Sequence, residues 1–261
     1  MVPPMEFVNL VEASDHVGGH AHVQSLLPGR EEYRRIGTWL ADQSAKNGAT
    51  IQLSSPVRTD AIADVIQEHR PDHVVVATGS RVRTDGFQGW TGEPLPGWES
   101  ARCVGWDEVA TGQVAPTGNV LVVDDTSDLV APLVACMLAD RGARATVVTR
   151  WPMLATENLA DVYFEWLMPR VYESGVQIIV DHFVERIEGA QTVLHNVHRP
   201  GVERTVDSDW IVMATARTSI NELHDAVAEQ GVSVETIGDA TAPRSTYEAV
   251  YEGHRAARRN A

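Results

Sequence analysis

The chain has 261 residues, 43% of them hydrophobic and 22% charged, enough for one or two domains that each bury a core. Its formal net charge of −15 argues against nucleic acid and anionic membrane surfaces, partners that select for a basic face. No apolar run approaches the ~20 residues of a membrane span, and the opening MVPPMEF has no signal-peptide pattern, so a cytoplasmic location is expected.

Residues 7–12, FVNLVE, read as a buried strand that ends in an acid, and Gly18-Gly19 follows six residues later. Residues 31–47 read as a helix with Ile36, Trp39, Leu40 and Gln43 on one face, ended by Gly48. A short strand is expected at 51–53 and a helix at 61–69, stopped by Pro71. Residues 73–77, HVVVA, form an apolar run without alternation, which suits a central parallel strand covered on both faces. Residues 81–118 are rich in Gly, Pro and Trp and read as loops with one short helix at 105–111. A strand at 119–123, a helix at 129–141 and a strand at 145–149 then make a βαβ unit of the expected length, about 30 residues. A helix at 161–174 and a strand at 176–180 follow, then an antiparallel pair at 183–188 and 191–197. The last elements are an apolar strand at 210–216, a strand and turn at 234–239, and a terminal helix at 246–260.

Strands alternating with helices imply an α/β fold with parallel sheets. The pattern predicts two Rossmann-like domains, the second inserted in the first: a discontinuous one over 1–116 and 208–261, and an inserted one over 117–207. The strand at 210–216 is expected to return the chain to the first sheet.

The candidate site residues lie at strand ends. In a dinucleotide fold, an acid ending the second strand takes the ribose hydroxyls, which is the role open to Glu12; the alternative is a surface acid. Gly18 and Gly19 allow backbone to approach a phosphate or ring closely, or make an ordinary turn. The run VVVATGS delivers Thr78, Gly79 and Ser80 to the ligand side of a sheet, and IVMATAR at 211–217 repeats the shape with Ala216 in place of the glycine. In IGDATAPR, Gly238, Asp239 and Ala240 precede a helix whose N-terminus would favour an anion. The turn after the strand at 119–123 reads DDTSDL, with three carboxylates and no glycine where a pyrophosphate would lie. Like charges at such range cost a few kcal/mol, so NAD(P)H binding is expected to be lost there. Cys103 and Cys136 form no C-x-x-C and read as buried or half-buried thiols. His16, His20 and His22 are irregularly spaced and read as a polar loop near a ligand rather than a metal site. No catalytic constellation and no metal site emerges.

The ordered set VEASDHVGGHA, LPGREE, VVVATGSRVRTDG, EPLPG, the glycine-free VLVVDDTSDLVAPLVACMLADRGARATVVT and IGDATAPRSTYEAVYEGHRAAR resembles the C-terminal half of the trimethylamine dehydrogenase family. That family is related to 2,4-dienoyl-CoA reductase and to the NADH:flavin oxidoreductases with an old-yellow-enzyme barrel. The resemblance implies a three-part polypeptide. A barrel carries FMN, the substrate site and a 4Fe-4S cluster, and two nucleotide-binding-type domains follow it. The first of these holds FAD or ADP. Carried over by position, Glu12 would hold the adenosine ribose, with Ala13 beside it. Gly18, Gly19, His20, Thr78, Gly79 and Ser80 would line the nucleotide crevice, and Gly238, Asp239 and Ala240 would close it.

The barrel, the cluster cysteines and the first strand with its G-x-G-x-x-G turn have no counterpart in these residues. The expectation is therefore a subunit of a split flavin-dependent oxidoreductase, amine dehydrogenase-like and not catalytic on its own. A barrel-bearing partner would carry FMN and 4Fe-4S in a heteromeric complex, and an electron-transfer protein is a further expected partner. The alternatives are a self-sufficient FAD/NAD(P)H reductase and a non-catalytic scaffold that has lost its nucleotide.

Overall fold

A computed structural model of the chain describes residues 7–160 and 162–259. Asp161 and Asn260, expected at helix ends, and the MVPPME preceding Phe7 lie outside the described residues. The chain is mixed α/β and forms two compact units. The first comprises the residues up to His22, Glu32–Arg81 and those from Arg217 onward; the second comprises Val23–Glu31 and Val82–Ala216.

The first unit begins with β1 (Asn9–Val11), α1 (Gly19–Gln24, whose last two residues are counted with the second unit), α2 (Arg34–Lys46), β2 (Thr50–Gln52), α3 (Ile62–His69), β3 (His73–Val76) and β4 (Ser80–Val82, whose last residue is counted with the second unit). β1 pairs with β2 in parallel, Leu10 opposite Ile51. α2 carries the apolar positions read from the sequence but buries none of its residues, and Trp39 is 61% exposed.

The second unit contains β5 (Phe87–Gln88), β6 (Glu93–Pro94), β7 (Cys103–Gly105), α4 (Trp106–Ala110), β8 (Asn119–Asp124), α5 (Val130–Asp140), β9 (Arg144–Thr149), α6 (Tyr163–Glu173), β10 (Gln177–Ile179), β11 (His182–Glu188), β12 (Gln191–Asn196), β13 (Glu203–Asp207) and β14 (Trp210–Ala214). Its main sheet has the order β10-β9-β8-β14-β7, and every neighbouring pair is parallel. β8 sits at the centre, and all its residues after Asn119 are buried. Its alternate side chains serve two cores. Val120 and Val122 pack with Leu133, Val134 and Leu138 of α5. Leu121 and Val123 pack with Val184, Ile187 and Leu194 of the antiparallel β11-β12-β13 sheet. α5 is apolar all round, which suits a helix buried among other elements.

The chain returns to the first unit with β15 (Arg217–Ser219), α7 (Glu222–Ala228), β16 (Ser233–Thr236) and α8 (Thr246–Arg259). β15 pairs with β4, and β16 pairs with β3 in parallel, Val234 opposite Val74.

Three expectations change. The run at 210–216 does not rejoin the first sheet: β14 pairs with β7 and β8 inside the second unit. Residues 82–116, placed with the first domain, contribute β7 and α4 to the second, because β7 closes that sheet's edge and Trp106 and Val109 join its core. β3 is not covered on both faces among the described residues: it pairs only with β16, and Val75 is 43% exposed.

Candidate functional site

In the first unit the ends of the strand pairs gather polar groups. Glu12 follows β1, where its backbone N–H donates to the Gln52 carbonyl and its Oε1 accepts the Ser14 N–H at 2.8 Å. Oε2 has no protein partner among the described residues. Ala13 lies in the bend that follows. Gly18 and Gly19 both take positive φ, +106° and +48°, as does Gly79 at +80°. A Cβ at Gly19 or Gly79 would meet nothing within 4 Å, so these turns face open space rather than neighbouring chain. At Gly18 a Cβ would sit 3.6 Å from Gly37 Cα, so this glycine serves the approach of α2 as well.

Hydrogen bonds join residues far apart in sequence. His20 Nε2 lies 2.9 Å from the Ser80 carbonyl oxygen. The Ser80 hydroxyl donates to Asp239 Oδ2 at 2.9 Å. Asp239 Oδ1 accepts the Arg244 N–H at 2.8 Å, and Ser219 donates to the Asp239 carbonyl. Arg217 donates to Asp239 Oδ2, to Ser80 Oγ at 3.1 Å and to the Arg244 carbonyl at 2.6 Å. The Thr78 hydroxyl donates to the Ile220 carbonyl. Gly238 N–H donates to Glu252 of α8 at 2.6 Å, and Ala240 is fully buried. His20, Ser80 and Asp239 thus form one network, whereas Glu12, Ala13, Gly18 and Gly19 make no contact with Asp239 among the described hydrogen bonds.

Sequence reasoning missed Arg217 and Arg244. They end the runs IVMATAR and IGDATAPR, and that repeated terminal arginine was the available signal. Arg217 sets its guanidinium on Asp239, and Arg244 donates its backbone N–H there while its guanidinium pairs with Glu252 of α8, a helix whose dipole favours an anion at its start. His16 pairs with Asp15 and stacks on His22 at 3.7 Å, so these two rings serve the loop itself.

In the second unit each acid of the turn after β8 accepts a bond from the protein, although Asp124 Oδ2 is buried with no hydrogen-bond partner among the described residues. Asp124 Oδ1 accepts the Ser127 N–H at 2.8 Å, and Asp128 caps the start of α5 through the Val130 N–H at 2.8 Å. Asp125 accepts the Gly89 N–H and pairs with Arg150 at 3.0 Å, and Trp151 reaches its carbonyl. A Cβ at Gly89 would lie 2.8 Å from Asp125 Oδ2, so a larger residue there would push the carboxylate aside. Each acid uses a donor that an anionic ligand would need. Asp124 is 2% exposed, and burial pushes its carboxyl up to about 7 despite the opposing Ser127 hydrogen bond. A cavity of about 310 Å³ lies beside this turn, lined by Trp90, Arg150, Trp151, Pro152, Val197 and His198. Burial alone raises the Cys103 thiol to about 11, which suits an unreactive thiol.

No family model matches the chain. It is 24% identical over 287 residues to dimethylamine dehydrogenase of Hyphomicrobium sp. (strain x), covering 96% of this chain and 38% of that protein. It is 27% identical over 277 residues to a probable N-methylproline demethylase of Rhizobium meliloti, covering 95% and 39%. Its structure is similar to that of histamine dehydrogenase from Rhizobium sp. 4-9, with a TM-score of 0.88 and 27% identity, over 96% of this chain and 40% of that one. The chain thus spans about two fifths of the length of the relatives it matches. Along nearly its whole length the chain is thus similar to part of these amine dehydrogenases and demethylases, in line with the resemblance read from its motifs.

Proposed function

We propose that this chain is the nucleotide-binding portion of a flavin-dependent oxidoreductase of the amine dehydrogenase kind. Its first unit holds the adenine nucleotide of ADP or FAD. The observation that carries this is the polar corner Ser80–Asp239–Arg217 beside glycine turns whose missing Cβ atoms would point into open space.

The residues present fit part of such a ligand. Glu12 offers one carboxylate oxygen to ribose hydroxyls. Arg217, Arg244 and the first turn of α8 offer positive potential to a diphosphate. Asp239 is held by Arg217 and the Arg244 N–H, which limits its repulsion of a neighbouring phosphate. Gly79 keeps backbone slim beside the ring system. Bound FAD would supply a redox-active ring; bound ADP would supply none. The second unit, with every acid of its turn already bonded, binds no NAD(P)H in this reading.

The substrate site, FMN and 4Fe-4S belong to a barrel-bearing partner, and an electron-transfer protein takes the electrons away. The net charge of −15 supports a cytoplasmic role away from nucleic acid and membrane surfaces.

Thermal unfolding with ADP, FAD and NADH tests the reading. A ligand that binds only the folded state stabilises by RT ln(1 + [L]/Kd), about 2.7 kcal/mol at a hundredfold excess over Kd. ADP or FAD is expected to raise Tm and NADH to leave it unchanged. Stabilisation by NADH alone, or by none of the three, would overturn the assignment.

A further inference from the structure

The second unit keeps a cavity at the ligand end of its sheet. β8 and β9 are parallel neighbours that end together, Asp124 opposite Thr149, and ligands of open α/β sheets lie beyond such ends. Past β9 the chain runs Arg150-Trp151-Pro152, and these residues line the cavity of about 310 Å³ together with Trp90, Val197 and His198. Trp90 comes from the turn between β5 and β6, and Val197 and His198 from the loop after β12. The volume stands at the small end of ligand sites, about 300–1,000 Å³, and suits a molecule of one or two rings rather than a dinucleotide.

The walls are fixed by bonds within the unit. Asp181 takes φ +58° and ties two of them: its N–H donates to the Trp151 carbonyl at 3.1 Å, and its carbonyl accepts the Val197 N–H at 2.9 Å. The Trp151 indole N–H reaches the Asp125 carbonyl at 3.4 Å. Trp90 leans on Phe183 of β11, with ring centroids 5.6 Å apart, and stays 48% exposed. Two indoles thus give the cavity an aromatic lining, and Arg150 gives it a charge. The Arg150 guanidinium lies 4.6 Å from the Trp151 ring centre, and Asp125 approaches it from the Nε side at 3.0 Å. No described hydrogen bond takes an N–H of Arg150, and Nε itself is buried. A guanidinium carries five N–H donors in a planar fork, so its Nη edge is open to a second acceptor. His198 stands at the rim, 3.4 Å from Asp181.

We propose that this cavity binds a small planar aromatic acid, a molecule of one or two rings with a single carboxylate. The ring lies against the indoles of Trp90 and Trp151, where stacked and edge-on contacts favour another π system. The carboxylate takes the Nη edge of Arg150 as a two-bond fork, while Asp125 holds the Nε side. The same features select against other ligands. A cation would meet the guanidinium in an apolar lining. A neutral ring would leave the Nη edge without an acceptor. A diphosphate would bring several negative charges beside Asp124, Asp125 and Asp128, whereas one carboxylate shares one guanidinium with Asp125. The site uses no residue of the first unit, so it stands apart from the nucleotide reading above.

Calorimetric titration of the full chain tests this, with indole-3-acetate as the probe and tryptophol and tryptamine as its neutral and cationic counterparts. Indole-3-acetate is expected to bind at a single saturable site. Tryptophol is expected to bind roughly tenfold more weakly, the loss of one charge-assisted hydrogen bond, and tryptamine not to saturate. Trp90→Ala, at a half-exposed ring, is expected to leave Tm unchanged and to weaken indole-3-acetate about fivefold, with Trp90→Phe restoring most of the affinity. Arg150→Lys keeps a charge beside Asp125 but removes the fork, and is expected to bring indole-3-acetate down to the affinity of tryptophol. Trp39→Ala, in the first unit, is expected to change nothing. The proposal is overturned by no saturable binding of indole-3-acetate, by equal affinity for tryptophol or tryptamine, by full affinity in Trp90→Ala, by an equal loss in Trp39→Ala, or by displacement of the probe by ADP. Probe binding without ADP stabilisation keeps this site and removes the nucleotide reading; ADP stabilisation without probe binding does the reverse.

Discussion

The two units of this chain carry the same kind of strand in opposite surroundings. β8 carries Val-Leu-Val-Val and is buried between α5 on one face and the β11-β12-β13 sheet on the other. β3 carries Val-Val-Val and leaves its middle valine 43% exposed, with a single bonded neighbour. The buried clusters of the chain lie in the second unit, and none forms around β1 or β3. An apolar strand therefore reports the environment it was selected for, and in the first unit that environment is incomplete among the described residues.

The largest expected effect probes this contrast directly. Leu121→Ala, which empties a fully buried site on β8, is expected to cost about 2–5 kcal/mol. Leu10→Ala on β1 is expected to stay within about 0.5 kcal/mol, as exposed substitutions do. Urea unfolding of the two variants checks this, and equal costs would break the comparison.

The next effect concerns the sealed end of the second sheet. The Asp124 carboxyl is raised from 3.8 to about 7 in the folded chain. Between those values the folded chain keeps a proton that the unfolded chain has released, so stability falls as pH rises through that window. Asp124→Asn is expected to remove this slope and to gain on the order of a few kcal/mol at pH 8 relative to the parent. Unfolding free energies at pH 5 and pH 8 would show it.

Arg217→Ala acts on the open end of the first sheet. It removes the partner of the partly buried Asp239 and is expected to cost about 1–3 kcal/mol, read as earlier exchange of the β16 and α8 amides. The smallest effect is Glu12→Gln, expected to leave unfolding unchanged while weakening ADP stabilisation by about 1 kcal/mol, one charge-assisted hydrogen bond.

Most elements were legible, and the reasons differ. The β8-α5-β9 unit was visible because an apolar run, a helical run and a second apolar run follow in strict order. The β11-β12 hairpin was visible because its Glu-Gly-Ala turn separates two short runs. The membership of β14 was not: a run without alternation says that a strand is covered on both faces, not which sheet covers it. The short strands of 81–118 were hidden because turn residues surround them and they pair over a few residues only. At the candidate site, glycines and the acid announced themselves through backbone chemistry. Ser80 and His20 were read as lining residues, but their bond spans sixty positions, which no local pattern encodes. Arg217 opens a strand of three residues, too short to show a period, and Arg244 lies between elements, so only their shared place at the end of two similar runs marked them.

The clasp between Gly89 and Asp125 has a consequence for how such a chain can change. Placing glycines in the acidic turn would not open it while the neighbouring loop still holds Asp125 through its amide and Arg150 through its charge. Removing Asp125 alone would strand a guanidinium and an amide that had been satisfied. Any enlargement of residue 89 would strike the carboxylate before the turn had altered. The loop and the turn are thus locked to one another like a ratchet, since each single change at Gly89, Asp125 or Arg150 leaves a donor or an acceptor without its partner.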